Sequence, residues 1–94
     1  MSSTPLLLVF GKQFKKDFRL AKKSGKDTDR LFKVLELLQN GKKLPERYRA
    51  HKLRGLYREW CELHIEPDWL LIYKVEGQFL KLARIGTHGE LFDL

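Results

Sequence analysis

The sequence predicts an α+β domain in which a helical hairpin packs on a small, four-stranded, mainly antiparallel sheet. Two patterns predict it. After a short apolar run, the first half of the chain repeats its apolar residues at helical spacing. The second half switches to alternating and continuous apolar runs divided by turn residues. The length agrees: 94 residues allow one modest core, so residues 1–94 are read as a single domain.

The elements follow in order. Leu6-Leu7-Leu8-Val9-Phe10 reads as a short buried strand, with Pro5 at its entry, where a missing N–H is tolerated. From Lys12 the period changes. Phe14, Phe18 and Ala21 make one face of a helix whose remainder carries Lys15, Lys16, Arg19, Lys22 and Lys23. Ser24-Gly25 stops it, and Asp27 or Thr28 can cap the next. Leu31, Val34, Leu35 and Leu38 form the apolar face of that second helix, closed by Asn40-Gly41. Residues 42–55 read as an irregular, strongly basic connection with Pro45 inside it.

After Gly55 the chain turns β-like. Residues 57–65 alternate in part, with Trp60, Glu62 and His64 on one side and Cys61, Leu63 and Ile65 on the other. Glu66-Pro67-Asp68 breaks this strand. Residues 69–75 are nearly all apolar, the pattern of a strand covered on both faces. Glu76-Gly77 reads as a two-residue hairpin turn and residues 78–85 as the last strand, after which Gly86-Thr87-His88-Gly89 reads as a loop. The order is β-α-α-β-β-β, and the last three strands form a meander. The partner of the first strand does not follow from the pattern.

Composition narrows the function. An apolar fraction of 43% with 12% aromatics excludes a disordered chain. The single cysteine, Cys61, excludes an internal disulfide framework and a zinc–thiolate cluster, and it fits a reducing cytoplasmic setting. Residues 1–5 carry no basic signal-peptide start, and residues 6–10 are too few for a signal core or membrane span, so neither export nor a membrane partner is expected. With 19 Lys and Arg against 12 Asp and Glu, the net charge is +7, which points to a polyanion such as nucleic acid or to an acidic protein.

The groups capable of chemistry are His51 in the basic connection, His64 near a strand end, Asp68 in the next turn, Arg84 near the end of the last strand, and His88 beyond it. A meander returns Arg84 to the edge that carries His64 and Asp68. The histidine spacing matches no compact zinc motif, so no metal and no cofactor are expected. Cys61 points away from the face of His64, and no serine sits in a nucleophile elbow.

RNA cleavage fits better, because the substrate supplies its own 2′-hydroxyl nucleophile. The protein must then take one proton, give another and stabilise the phosphorane charge. Imidazoles suit both proton roles, Arg84 suits the phosphate, and Trp69 and Phe92 suit base stacking. Each also has a structural reading: Trp69 as core, Phe92 as a plug, and Arg84 as a partner of Glu62 or Glu66. A non-catalytic basic module that binds RNA or protein is the alternative.

Three blocks then match a known family in order and spacing: His51-Lys52-Leu53-Arg54-Gly55, His64-Ile65-Glu66-Pro67-Asp68-Trp69-Leu70-Leu71-Ile72-Tyr73 and Arg84-Ile85-Gly86-Thr87-His88-Gly89-Glu90-Leu91-Phe92. They resemble the YafQ branch of the RelE/ParE toxin superfamily, closely over the C-terminal half, and the β-α-α order agrees in the N-terminal half. The resemblance implies a RelE-like fold and the toxin of a bacterial type II toxin–antitoxin pair. It implies a ribosome-dependent, metal-independent endoribonuclease that cuts mRNA and so inhibits translation. It also implies a DinJ-like antitoxin with a ribbon-helix-helix part, and contact with operator DNA only through that complex.

Carried onto this chain, the family's site residues are His51, His64, Asp68, Trp69, Arg84, His88 and Phe92. The resemblance implies His88 as general acid and His51 or His64, near Asp68, as base. Arg84 would hold the scissile phosphate, and Trp69 and Phe92 would position bases. Lys52, Arg54 and the lysines of the first helix would face rRNA or the antitoxin. Two departures stand out: Cys61 where the family usually has Arg, and a longer N-terminal stretch over residues 1–5. A gyrase-directed, ParE-like toxin is the other superfamily reading, and it would lack the His/Arg site.

Overall fold

The computed structural model describes residues 4–92. The reading of the first three residues as free of a targeting signal lies outside them, as do the last two residues of the domain. The order is β1 (Leu7–Phe10), α1 (Lys12–Lys23), α2 (Thr28–Gln39), a 3-10 turn (Glu46–Tyr48), β2 (His51–Lys52), a second 3-10 turn (Gly55–Tyr57), β3 (Cys61–Glu66), β4 (Trp69–Glu76), β5 (Phe79–Gly86) and α3 (His88–Phe92). The sheet runs β1-β5-β4-β3-β2. It therefore has five strands, where four are expected from pattern. His51 and Lys52 pair antiparallel with Glu62 and Cys61, too short a ladder for any periodicity to register.

The meander of β3, β4 and β5 is antiparallel, and β1 joins it parallel to β5, with Leu7 opposite Phe79 and Phe10 opposite Leu82. The first strand is thus an edge strand rather than a buried one, and Leu7, Val9 and Phe10 remain exposed. β3 starts at Cys61, because residues 55–57 take a 3-10 turn. The β4–β5 turn is Gly77-Gln78, one residue later than expected, with Gly77 at φ 61°.

The helices form where their apolar spacing predicts. Asp27 caps α2 by accepting the Asp29 N–H. Phe14 and Ala21 of α1 and Leu31, Val34 and Leu35 of α2 pack on Leu63, Ile65, Trp69, Leu71, Tyr73, Leu80, Leu82 and Ile85 of the sheet. Tyr48 closes this core from the first 3-10 turn. β4 is covered on both sides, as its continuous apolar run predicts, with Leu70 and Ile72 buried on the face away from the helices. That second face carries the polar groups. Among the described residues, no helix is long and apolar enough to cross a membrane.

Gly11 holds α1 against β5, since a Cβ there would stand 2.8 Å from the Leu82 carbonyl oxygen. This close approach brings the side of α1 that carries Asp17 to the edge of β5, just past the point where β1 ends.

Candidate active site

A row of paired residues crosses the face of the sheet opposite the helices: His51 on β2, Glu62 on β3, Ile72 on β4 and Arg84 on β5. The next row is His64, Leu70 and Gly86. Beyond Gly86 the chain folds back as α3. Thr87 and Glu90 make a capping box: the Thr87 N–H donates to Glu90 Oε1 (2.8 Å), and the Glu90 N–H donates to Thr87 Oγ1 (3.1 Å). Where the sequence reads as a loop, two glycines obscure this T-x-x-E signal. Gly86 permits the fold-back, because a Cβ there would lie 3.1 Å from both Glu90 Oε1 and Leu91 Cδ2.

The capped turn sets His88 beside His64, ring centroids 5.8 Å apart, with Phe92 6.4 Å from His88. Asp68, in the tight turn between β3 and β4, accepts both the His88 backbone N–H (2.9 Å) and its ring Nδ1–H (2.7 Å). These bonds, the backbone one foremost, hold the Asp68 carboxyl below its usual range. With Nδ1 donating to a carboxylate, Nε2 is the nitrogen His88 presents outward.

Glu62 is the group whose place among the histidines residue types alone do not reveal. It is only 6% exposed, and one carboxylate oxygen lies 3.4 Å from His51 Nε2 and 3.7 Å from His64 Nε2. The His51 Nδ1–H donates to the Arg49 carbonyl (2.7 Å). Both nitrogens of His51 are thereby engaged, and a favourable contact with Glu62 needs a second proton, on Nε2 or on the carboxyl. His64 faces Glu62 through Nε2 and retains Nδ1. The signal was present as Glu62-Leu63-His64, an acid and a base on one strand face.

Arg84 does not pair with Glu62 or Glu66. Asp17 on α1 takes its Nε–H (2.7 Å) and an Nη2–H (3.2 Å), and also accepts the Ile85 backbone N–H (3.1 Å). This raises the Arg84 pKa further, so the cation is permanent. Two of the five guanidinium N–H groups are used, which leaves three for a ligand. Arg84 and Phe92 line one depression of about 220 Å³ with Tyr57, Trp60 and Ile72. His64 and His88 line another of about 610 Å³ with Arg30, Arg47, Arg49 and Glu66.

One expected site residue is not at the surface. Trp69 is 1% exposed and sits in the core, with Lys26 above its ring, so it has no open face for a base. It begins a strand that is covered on both sides, and this burial excludes the stacking role. Lys52 and Arg54 are exposed at the β2 edge.

The profile of the bacterial YafQ toxins of type II toxin–antitoxin systems matches residues 7–93. The chain belongs to the YafQ toxin family. The mRNA interferase toxin YafQ of Escherichia coli K12 is 40% identical over 86 residues, which span 90% of this chain and 94% of that protein. YafQ in the E. coli DinJ–YafQ toxin–antitoxin complex superimposes with a TM-score of 0.86 at 38% identity, covering 94% of this chain and 98% of the other. A metal-bound toxin from Helicobacter pylori superimposes with a TM-score of 0.87 at 37% identity, covering 93% and 99%. Within this YafQ-type chain, no group of three or more His, Cys, Asp or Glu among the described residues is arranged to hold a metal ion.

Proposed function

We propose that this YafQ-family toxin is an mRNA interferase, an endoribonuclease that cleaves mRNA on the ribosome and thereby inhibits translation. The observation that carries this reading is the His64–His88 pair, with Asp68 and Glu62 orienting the two rings. The E. coli relative bears the same activity in its name. The E. coli complex supports a DinJ-like antitoxin as the silencing partner, and operator DNA would be met through that antitoxin.

The chemistry needs no protein nucleophile. His64 Nδ1 takes the proton from the ribose 2′-hydroxyl, and the oxygen attacks the adjacent phosphorus. His88, as an imidazolium held by Asp68, donates its Nε2 proton to the departing 5′ oxygen. The P–O2′ bond forms and the P–O5′ bond breaks, which leaves a 2′,3′-cyclic phosphate and a 5′-hydroxyl. Arg84 stabilises the phosphorane charge with its remaining N–H groups. His51 acts through Glu62 as a positioning residue. Phe92 offers a ring to a base, and Lys52 and Arg54 give the β2 edge its attraction for rRNA.

Expression without an antitoxin tests the reading. The wild-type chain should arrest growth, co-expressed antitoxin should relieve the arrest, and His88→Ala should abolish it through a loss of about 10²–10⁴ in cleavage rate. A fully toxic His88→Ala variant would contradict the assignment. Cleavage that persists after chelation, with ribosomal Mg²⁺ restored, would separate this chemistry from a zinc enzyme.

A further inference from the structure

Arg49 joins the first 3-10 turn to β2, and its backbone is the anomaly of the site. Among the described residues the positive-φ positions are Gly25, Gly41, Gly55, Gly77 and Arg49, whose φ is 49°. A left-handed backbone is strained for a residue with a Cβ. Glycine would make this turn without strain, so the turn alone does not account for an arginine.

The residue is held on both sides. Tyr48 before it is buried in the core, and the Arg49 carbonyl accepts the His51 ring N–H. Its side chain lines the pocket that contains His64 and His88. Arg30, on the same wall, pairs with Asp27 and Glu66, and Arg47 lies over the Tyr48 ring. Arg49 has no ion pair among the described residues. In the pocket where protons would be transferred it is the uncommitted guanidinium, whereas Arg84 lines the neighbouring depression and already gives two N–H groups to Asp17.

We propose that Arg49 is a phosphate-binding residue of the cleavage site, meeting the reacting phosphate of the RNA from the β2 side while Arg84 meets it from the β5 side. This rests on the nuclease reading above. Two cations on opposite flanks match a phosphorane that carries more charge than the phosphodiester it comes from. The left-handed backbone serves two ends at once, turning the carbonyl to His51 and the side chain to the phosphate.

The test compares Arg49→Gly, Arg49→Lys and Lys43→Gly in cleavage of mRNA on programmed, saturating ribosomes, alongside thermal melting. Glycine keeps the backbone shape and the carbonyl, so the Arg49→Gly melting midpoint should equal or exceed that of wild type. Its cleavage rate should fall roughly 100-fold, as for loss of one transition-state donor. Arg49→Lys should recover part of that loss, and Lys43→Gly, which removes the same charge from the same basic connection, should stay within twofold of wild type. An Arg49→Gly variant that cleaves within threefold of wild type would overturn the proposal, as would a lowered midpoint or a loss that Arg49→Lys shares in full. Failure of the wild-type protein to cleave at all would instead overturn the nuclease reading.

Discussion

Asp17 and Arg84 are 67 positions apart in the chain, and their contact shows how a single carboxylate can serve both fold and site. Where β1 ends, the outer edge of β5 would expose the Ile85 N–H, and Asp17 accepts it while holding the guanidinium side-on. Its side chain is 10% exposed and that of Arg84 is 32% exposed. The pair is therefore partly screened, and its loss should cost less than that of a buried one. Asp17→Asn should lower stability by about 1–2 kcal/mol, measured from the urea midpoint at unchanged slope. Cleavage should fall too, because the freed guanidinium samples other rotamers. An unchanged rate would mean that Arg84 needs no such support.

At the scale of elements, α3 carries two candidate site residues, His88 and Phe92, on five positions, so its docking decides the geometry of the proposed site. It is held by its capping box, by the Asp68–His88 bonds and by close contact at Gly86. Gly86→Ala places a methyl 3.1 Å from Glu90 Oε1 and Leu91 Cδ2. The Glu90 and Leu91 side chains must then give by a few tenths of an ångström, which disturbs the capping box. Cleavage should drop at least tenfold with little change in the melting midpoint, and the amide of His88 should exchange faster with solvent. Much of the fold was legible at this scale, because α1, α2, β4 and β5 each carry a clean period. Three features were not. β2 is two residues long, the parallel pairing of β1 depends on a crossover, and the T-x-x-E cap of α3 is interrupted by Gly89.

For the molecule as a whole, one layer of helices packs one face of the sheet, and the other face carries the candidate site. The candidate titratable residues are legible as types, since three histidines, Asp68 and Arg84 have no shared packing use. What the sequence could not convey was which groups orient them. Glu62 meets His51 across a two-residue strand, and Asp17 meets Arg84 across the whole domain. Of the two readings open to Trp69, platform and core, burial selects core, because a strand covered on both faces hides even its first residue. Tyr73, opposite Cys61 in the sheet, has its phenol pushed up to about 12, by burial first and by the cysteine second. Its folded value is raised, so its contribution is intact below pH 10, the ordinary value, and is lost as pH rises towards 12. The last tyrosinate absorbance should therefore appear together with unfolding in this window, and Tyr73→Phe should shift that alkaline transition upward.

The chemistry of the cut ends tests the central claim most directly. In cells expressing the toxin without its antitoxin, translated mRNA should acquire fragments ending in 2′,3′-cyclic phosphate, followed by fragments beginning with a 5′-hydroxyl. Untranslated copies of the same RNA should stay whole, and His88→Ala should remove both ends. Fragments with 3′-hydroxyl and 5′-phosphate ends, or cuts that persist in the His88→Ala variant, would contradict cleavage by the 2′-hydroxyl between His64 and His88.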